Sequence, residues 1–224
     1  MKIAVLTSSI GAIAPAEVNV KHDTADYFAF VDTELREDTM WHRLSVSKFS
    51  CDLKYGNRRN AKVYKILPHL FVPGYDYYIW IDSTHAVMEE PTKVVETYLR
   101  ESDIALFNHP ERDCVYEEAE LIKQVSFDYP ELVDSQMIFY HTHSYPKNNG
   151  LYELPCRIQR NTPQIQALML TWWELICKFS SRDQLSLPFA LHMHNIIPSI
   201  MPGRANGIMQ NEILPQVITS NHPR

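Results

Sequence analysis

One short stretch constrains this chain more than any other: YDYYIWID, residues 75 to 82, an apolar and aromatic run that stops on a carboxylate. Pro73 and Gly74 bound it upstream, so it reads as a buried strand entering a loop. KIAVLTSS at the start, DYFAFVD (26 to 32) and DIALFNH (103 to 109) have the same form, and SQMIFYH (135 to 141) is expected to be a fifth strand. Between these runs the apolar spacing turns helical. Over 61 to 71, Val63, Ile66, Leu67, Leu70 and Phe71 fall on one helical face, which Pro68 should kink or delay. A second helix opens at Pro91 with Val94, Val95, Tyr98 and Leu99 inward, and a third runs from about 113 to 125. The clearest spans 163 to 178, with Ile165, Leu168, Met169, Trp172 and Ile176 on one side. Buried strands alternating with amphipathic helices predict an α/β fold: one domain, a mostly parallel central sheet and helices on both faces. The C-terminal third is expected to be less regular.

At ~100–200 residues per domain, 224 residues allow one large domain or two small ones, and no internal repeat or low-complexity linker divides them. A net charge of −6 offers no basic surface to displace counterions, so nucleic acid is not an expected partner. Cys51, Cys114, Cys156 and Cys177 stand far apart with no CxxC pair, which disfavours structural zinc and fits a reduced, cytoplasmic setting. The opening resembles a signal peptide, but IAVL is too short for an apolar segment of ~7–15 residues. No run approaches the ~18 apolar residues of a membrane span.

In an open parallel sheet, ligands bind beyond the carboxyl ends of the strands, where loops and helix N-termini converge. Three of the expected strands end there in polar side chains: Thr7, Ser8 and Ser9; Asp32; and Asp82, followed by Ser83, Thr84 and His85. A carboxylate at a buried strand end is costly unless it is paired, hydrogen-bonded or bound to a cation. GNRRNAKVYK (56 to 65) adds Arg58, Arg59, Lys62 and Lys65. Such a run suits a solvated helix face, but in an acidic chain it also stands out as an anion site, most naturally for phosphates. Neither GxGxxG nor GxxxxGK[ST] is present.

SSRDQLSLPFALHMHN (180 to 195) holds Asp183, which caps a following helix as readily as it serves a site. His192 and His194 are two apart and point to different sides of a helix, which argues against one metal pair. HPERDCVYEEAEL (109 to 121) places His109, Arg112, Glu117 and Glu118 after the fourth strand, with Glu118 or Glu120 reading as surface. No Ser sits in a GxSxG elbow, and no cysteine has an evident His orienter.

RNAKVYKILPHLF, YDYYIWIDST, NHPERDCVYEEAE, RIQRNT and WWELICKFSSRDQLSLPF occur in this order. Together they resemble a glycosyltransferase-like family long classed as a domain of unknown function, with plant members named for turgor regulation and seed mucilage and many bacterial and viral members. The resemblance covers about residues 25 to 195 and implies the GT-A glycosyltransferase fold, a Rossmann-like nucleotide-binding sheet. It divides the chain into a nucleotide-binding part, about 1–110, and a sugar and acceptor side, about 111–224. It implies a nucleotide-sugar donor, UDP- or GDP-linked, and a glycan, lipid-linked or protein acceptor, as in polysaccharide biosynthesis. Thr7, Ser8 and Asp32 would then flank the nucleoside, and Lys62, with Arg59, the diphosphate. Asp82 and Ser83 match the place of an Asp-x-Asp motif that holds Mn²⁺ or Mg²⁺. Asp183 and Gln184 resemble the Asp-Gln pair near the transferred sugar, which favours retention; an inverting enzyme needs a general base, for which Asp183 or Glu117 would serve.

The chain departs from that pattern at Thr84, a poor ligand where a second carboxylate would stand. Either another acid or a histidine from the C-terminal third joins Asp82, or Arg and Lys neutralise the diphosphate. Two other readings stay open. One is a metal-assisted hydrolase built on Asp82, His85, His109 and a glutamate. The other is a non-catalytic module that binds nucleotide sugars.

Overall fold

The computed structural model describes residues 1–11, 15, 22–85, 87 and 89–203. Its elements, in order, are β1 (Ile3–Ser9), β2 (Asp26–Val31), β3 (His42–Leu44), α1 (Gly56–Ile66), α2 (Pro68–Phe71), β4 (Tyr77–Ile81) and α3 (Pro91–Tyr98). They continue with β5 (Ile104–Asn108), α4 (Val115–Gln124), α5 (Pro130–Thr142), β6 (Tyr152–Arg160), α6 (Pro163–Lys178), α7 (Asp183–Met193) and β7 (Ser199–Met201).

The seven strands form one sheet in the order β3-β2-β1-β4-β6-β5-β7. β3, β2, β1 and β4 pair in parallel, as do β5 and β7, while β6 runs antiparallel between β4 and β5. The sheet is therefore mostly parallel, and the carboxyl ends of β1, β2, β4 and β5 share one edge. β6 begins at that same edge.

Side chains alternate across each strand, so every strand feeds two cores. Ile3 and Val5 of β1, Ile79 and Ile81 of β4, and Cys156 and Ile158 of β6 pack with Val94 and Val95 of α3. Ala4, Leu6, Phe30, Tyr78 and Trp80 turn to the opposite face and meet Tyr64 of α1. On that second face Leu106 and Leu154 also carry α4, α5, α6 and α7. The ring of Tyr64 stacks on Phe30 with centroids 4.3 Å apart, which seats α1 above the sheet. Helices thus cover both faces, as the alternation of elements predicts. Pro155 sits inside β6 where the β5 pairing jumps between Ala105 and Phe107, the kind of bulge at which a strand tolerates a missing N–H.

The 163 to 178 helix is found as expected; Pro163 opens it, and Thr162 Oγ1 accepts from the Ile165 amide. Three expectations need correction. Residues 135 to 141 are not a strand but lie inside α5, where Val133, Gln136, Met137 and Tyr140 are buried at helical spacing. So short an apolar run carries no decisive period. The helix expected over 61 to 71 starts earlier and stops at Ile66; Pro68 breaks it, and the following turn leaves Leu70 and Phe71 exposed. The C-terminal third is regular as far as Met201, with two helices and two strands.

Candidate active site

Asp82 follows β4 with the same parity as Trp80, so its side chain falls on the face covered by α1. The Trp80 indole N–H donates to Asp82 Oδ1 at 2.9 Å. The Asp82 amide donates to the Pro155 carbonyl at 2.7 Å, which joins the end of β4 to the bulged start of β6.

Helix α1 presents Lys62 and Lys65 three residues apart, on one face. Lys62 Nζ lies 2.5 Å from Asp183 Oδ2. Lys65 Nζ lies 2.8 Å from the same oxygen and 3.3 Å from Asp82 Oδ1, and it donates to the Leu154 carbonyl at 2.6 Å. Asp183 is the first residue of α7, where the helix dipole favours a carboxylate, and Arg182 takes the N-cap position. Arg182 donates to Gln184 Oε1 at 2.8 Å, and the Gln184 amide reaches the Tyr152 carbonyl at 3.3 Å. Behind them, the fully buried Arg157 donates to the Lys65 carbonyl at 2.5 Å and lies over the Trp172 ring.

Lys62, Lys65, Asp82, Arg182, Asp183 and Gln184 line a cavity of about 200 Å³ together with Leu154 and Pro155. Lys62, Lys65 and Arg182 face Asp82 and Asp183 there, a surplus of one positive charge. Larger hollows, of about 350 and 440 Å³, lie beside His192 and Arg160, away from the end of β4.

The charges are strongly coupled. Burial pushes the Asp82 carboxyl up, but Lys65 and Lys62 outweigh it and hold the group below its ordinary range. Asp183 follows the same logic more strongly, with Lys62, Lys65 and Arg182 overcoming burial. Two unit charges 4 Å apart at an effective dielectric of ~20 interact by about 4 kcal/mol, which explains how such neighbours win. The two lysines split: burial brings Lys62 down to about 8, whereas Asp183 and Asp82 together lift Lys65 against its own burial. Lys62 has one carboxylate beside it and Lys65 has two.

Of the residues expected from sequence, Lys62, Asp82, Asp183 and Gln184 meet in this cavity. Thr7 and Ser8 are buried at the end of the neighbouring strand β1, and among the described residues neither hydroxyl has a hydrogen-bond partner. One strand further, Asp32 accepts from the Gly11 amide at 2.9 Å and pairs with Lys48 at 2.7 Å, and that hydrogen bond from Lys48 lowers its pKa. Ser83 lies in the turn closed by the His85 amide on the Asp82 carbonyl.

Arg59 is not brought to the cavity. Its guanidinium donates to the carbonyls of Ile176 and, at 2.7 Å, Phe179, capping the end of α6. Glu117 is exposed on α4 and lines a separate hollow with Cys114 and His141. Its neighbour Glu118 is buried against Arg112 at 2.8 Å, whereas Glu120 is exposed. Sequence reasoning counted Lys65 in the basic run without setting it apart from its neighbours, and did not single out Arg182 or Arg157. The three-residue spacing of Lys62 and Lys65 was the available signal for the first; nothing local marked the other two.

The residues present do not fit a Mn²⁺ or Mg²⁺ ion. The two carboxylates that would ligate it already share the Lys65 ammonium. Thr84 Oγ1 is bonded to His85 Nδ1 at 3.0 Å. Among the described residues no group of three or more His, Cys, Asp or Glu side chains is placed to hold a metal.

Two comparisons bear on this site. The chain matches the family model described as "TOD1/MUCI70, glycosyltransferase-like domain" over residues 29–201. It is 32% identical over 145 residues to "Probable hexosyltransferase MUCI70" of Arabidopsis thaliana, a match covering 58% of this chain and 24% of that protein. The chain thus spans about a quarter of that relative's length. The matched region contains β4, α1 and α7 with all of Lys62, Lys65, Asp82 and Asp183, and the chain belongs to the TOD1/MUCI70 glycosyltransferase-like family.

Proposed function

We propose that this protein is a GT-A-type glycosyltransferase that moves a sugar from a UDP- or GDP-linked donor to a glycan, lipid-linked or protein acceptor. The observation that carries the reading is the cluster of Lys62, Lys65, Asp82 and Asp183 around a cavity at the carboxyl end of a parallel sheet. Strands are spaced by about 4.8 Å, so the ends of β2 and β4, with β1 between them, lie roughly 10 Å apart. That span suits a nucleoside over Asp32, Thr7 and Ser8 and a diphosphate sugar over Lys62 and Asp82. Arg182 takes the phosphate role for which Arg59 is not placed.

Negative charge develops on the leaving diphosphate, and Lys62 and Arg182 are pre-aimed at it. Asp82, Ser83 and Gln184 offer hydrogen bonds to sugar hydroxyls, and Asp183 faces the positive charge that builds at the anomeric carbon. Asp183 is a poor general base because its lysines keep its proton affinity low, and Glu117 lies elsewhere. Both facts support retention over inversion.

Calorimetric titration with UDP, GDP, CMP and dTDP tests the donor; micromolar binding of one of them is expected. Asp82→Asn should then lower transfer by about 10²-fold or more with little change in melting temperature. A near-wild-type rate would remove Asp82 from the reaction. Donor binding with no transfer to any acceptor, and indifference to Asp183→Asn, would instead identify a non-catalytic module.

A further inference from the structure

Lys65 is the most confined cation in the molecule's charged site. Its side chain is 2% exposed, and its ammonium has three hydrogens and three oxygen neighbours, from Asp82, Asp183 and Leu154. The backbone that carries it is anchored. Tyr64 and Ile66 on either side are buried in the sheet-facing core, and the Lys65 carbonyl is held by Arg157. The ammonium holds one oxygen of each carboxylate, Asp82 Oδ1 and Asp183 Oδ2, so a divalent ion drawn to the same pair would sit close beside a fixed positive charge, and like charges at that range repel strongly.

We propose that Lys65 is a built-in cation: it bridges Asp82 and Asp183 where a divalent ion would sit, so the site binds its nucleoside diphosphate donor without metal. The ammonium spends its hydrogens on the protein and therefore holds the two carboxylates rather than the ligand. Lys62, 16% exposed and three residues earlier, and Arg182 are the cations left to meet phosphate. The identity of the ligand rests on the transferase reading; the role of Lys65 does not.

The test has two arms. In the first, free Mn²⁺ is followed by its electron paramagnetic resonance signal as protein is added, without nucleotide. The wild type is expected to leave the signal unchanged, and Lys65→Ala, which frees Asp82 and leaves Asp183 to Lys62 alone, to deplete it. In the second, UDP and GDP affinities are measured with Mn²⁺ and with EDTA, and are expected to agree within about twofold. Depletion of Mn²⁺ by the wild type that Asp82→Asn abolishes would overturn the proposal, as would a loss of nucleotide affinity of about tenfold or more in EDTA. If Lys65→Ala does not fold, the wild-type arms still decide. If neither nucleotide binds in either condition, the transferase reading falls, and the Mn²⁺ signal alone decides the role of Lys65.

Discussion

Two pairs of bases lie one turn apart on helix α1 and do opposite work. Arg58 and Arg59 point away from the sheet edge: Arg58 donates to the Phe127 carbonyl at 2.5 Å, and Arg59 closes the end of α6. Lys62 and Lys65 point at Asp183 and Asp82. The difference follows from the side chains. A guanidinium is a planar fork that spans two carbonyls, whereas an ammonium is a compact charge that three oxygens can surround. One basic run therefore contains a structural clamp and half of a binding site.

Four variants or conditions would break or sharpen that contrast. The largest effect is expected from Asp183→Asn, which leaves both lysines in place but removes the shared carboxylate charge. Initial transfer rates should fall about 10²–10³-fold, and a loss below about tenfold would detach this cluster from the chemistry. Lys62→Met comes next. Losing one charge-assisted contact to phosphate should weaken donor binding by about 1.5–3 kcal/mol in a calorimetric titration, with the melting temperature held.

Arg59→Ala should show the reverse pattern. Removing its contacts to the end of α6 should cost about 1.5–3 kcal/mol of stability, seen as a melting shift of ~2–4 °C per kcal/mol, with donor affinity kept. A loss of affinity matching that of Lys62→Met would erase the distinction between the two pairs. The smallest effect concerns pH. Lys62 is charged below about 8 and loses its proton as the pH rises through that value, so donor affinity should decline above it. The decline should be absent in Lys62→Met, and a flat wild-type profile between pH 7 and 9 would argue that Lys62 does not meet phosphate.

Much of the framework is legible in the chain. Apolar runs ending on Ser8, Asp32 and Asp82 mark strands β1, β2 and β4 and their shared edge, because a carboxylate so close to a buried run needs a reason to be there. The period of α6 is equally plain, since sixteen residues allow several turns to agree. α5 was not legible: its aromatic stretch satisfies strand and helix patterns alike over so few residues, and only its packing on the core decides.

The candidate site divides along the same line. Local sequence was enough to mark Asp82 and Lys62, because a strand end and a basic helical face have local signatures, whereas Asp183 read as readily as a helix cap and gained its role only from the family resemblance. The meeting of the three was not legible in local sequence, because 121 residues separate Lys62 from Asp183 and no local rule sets that distance in space. Nor could it separate Arg59 from Lys62, which are three apart on the helix yet face different neighbours. The periods and end signals of the elements are short-range physics and can be read in order along the chain. Which charges become partners depends on how α1 and α7 pack over the edge of the sheet, and only the tertiary structure decides that.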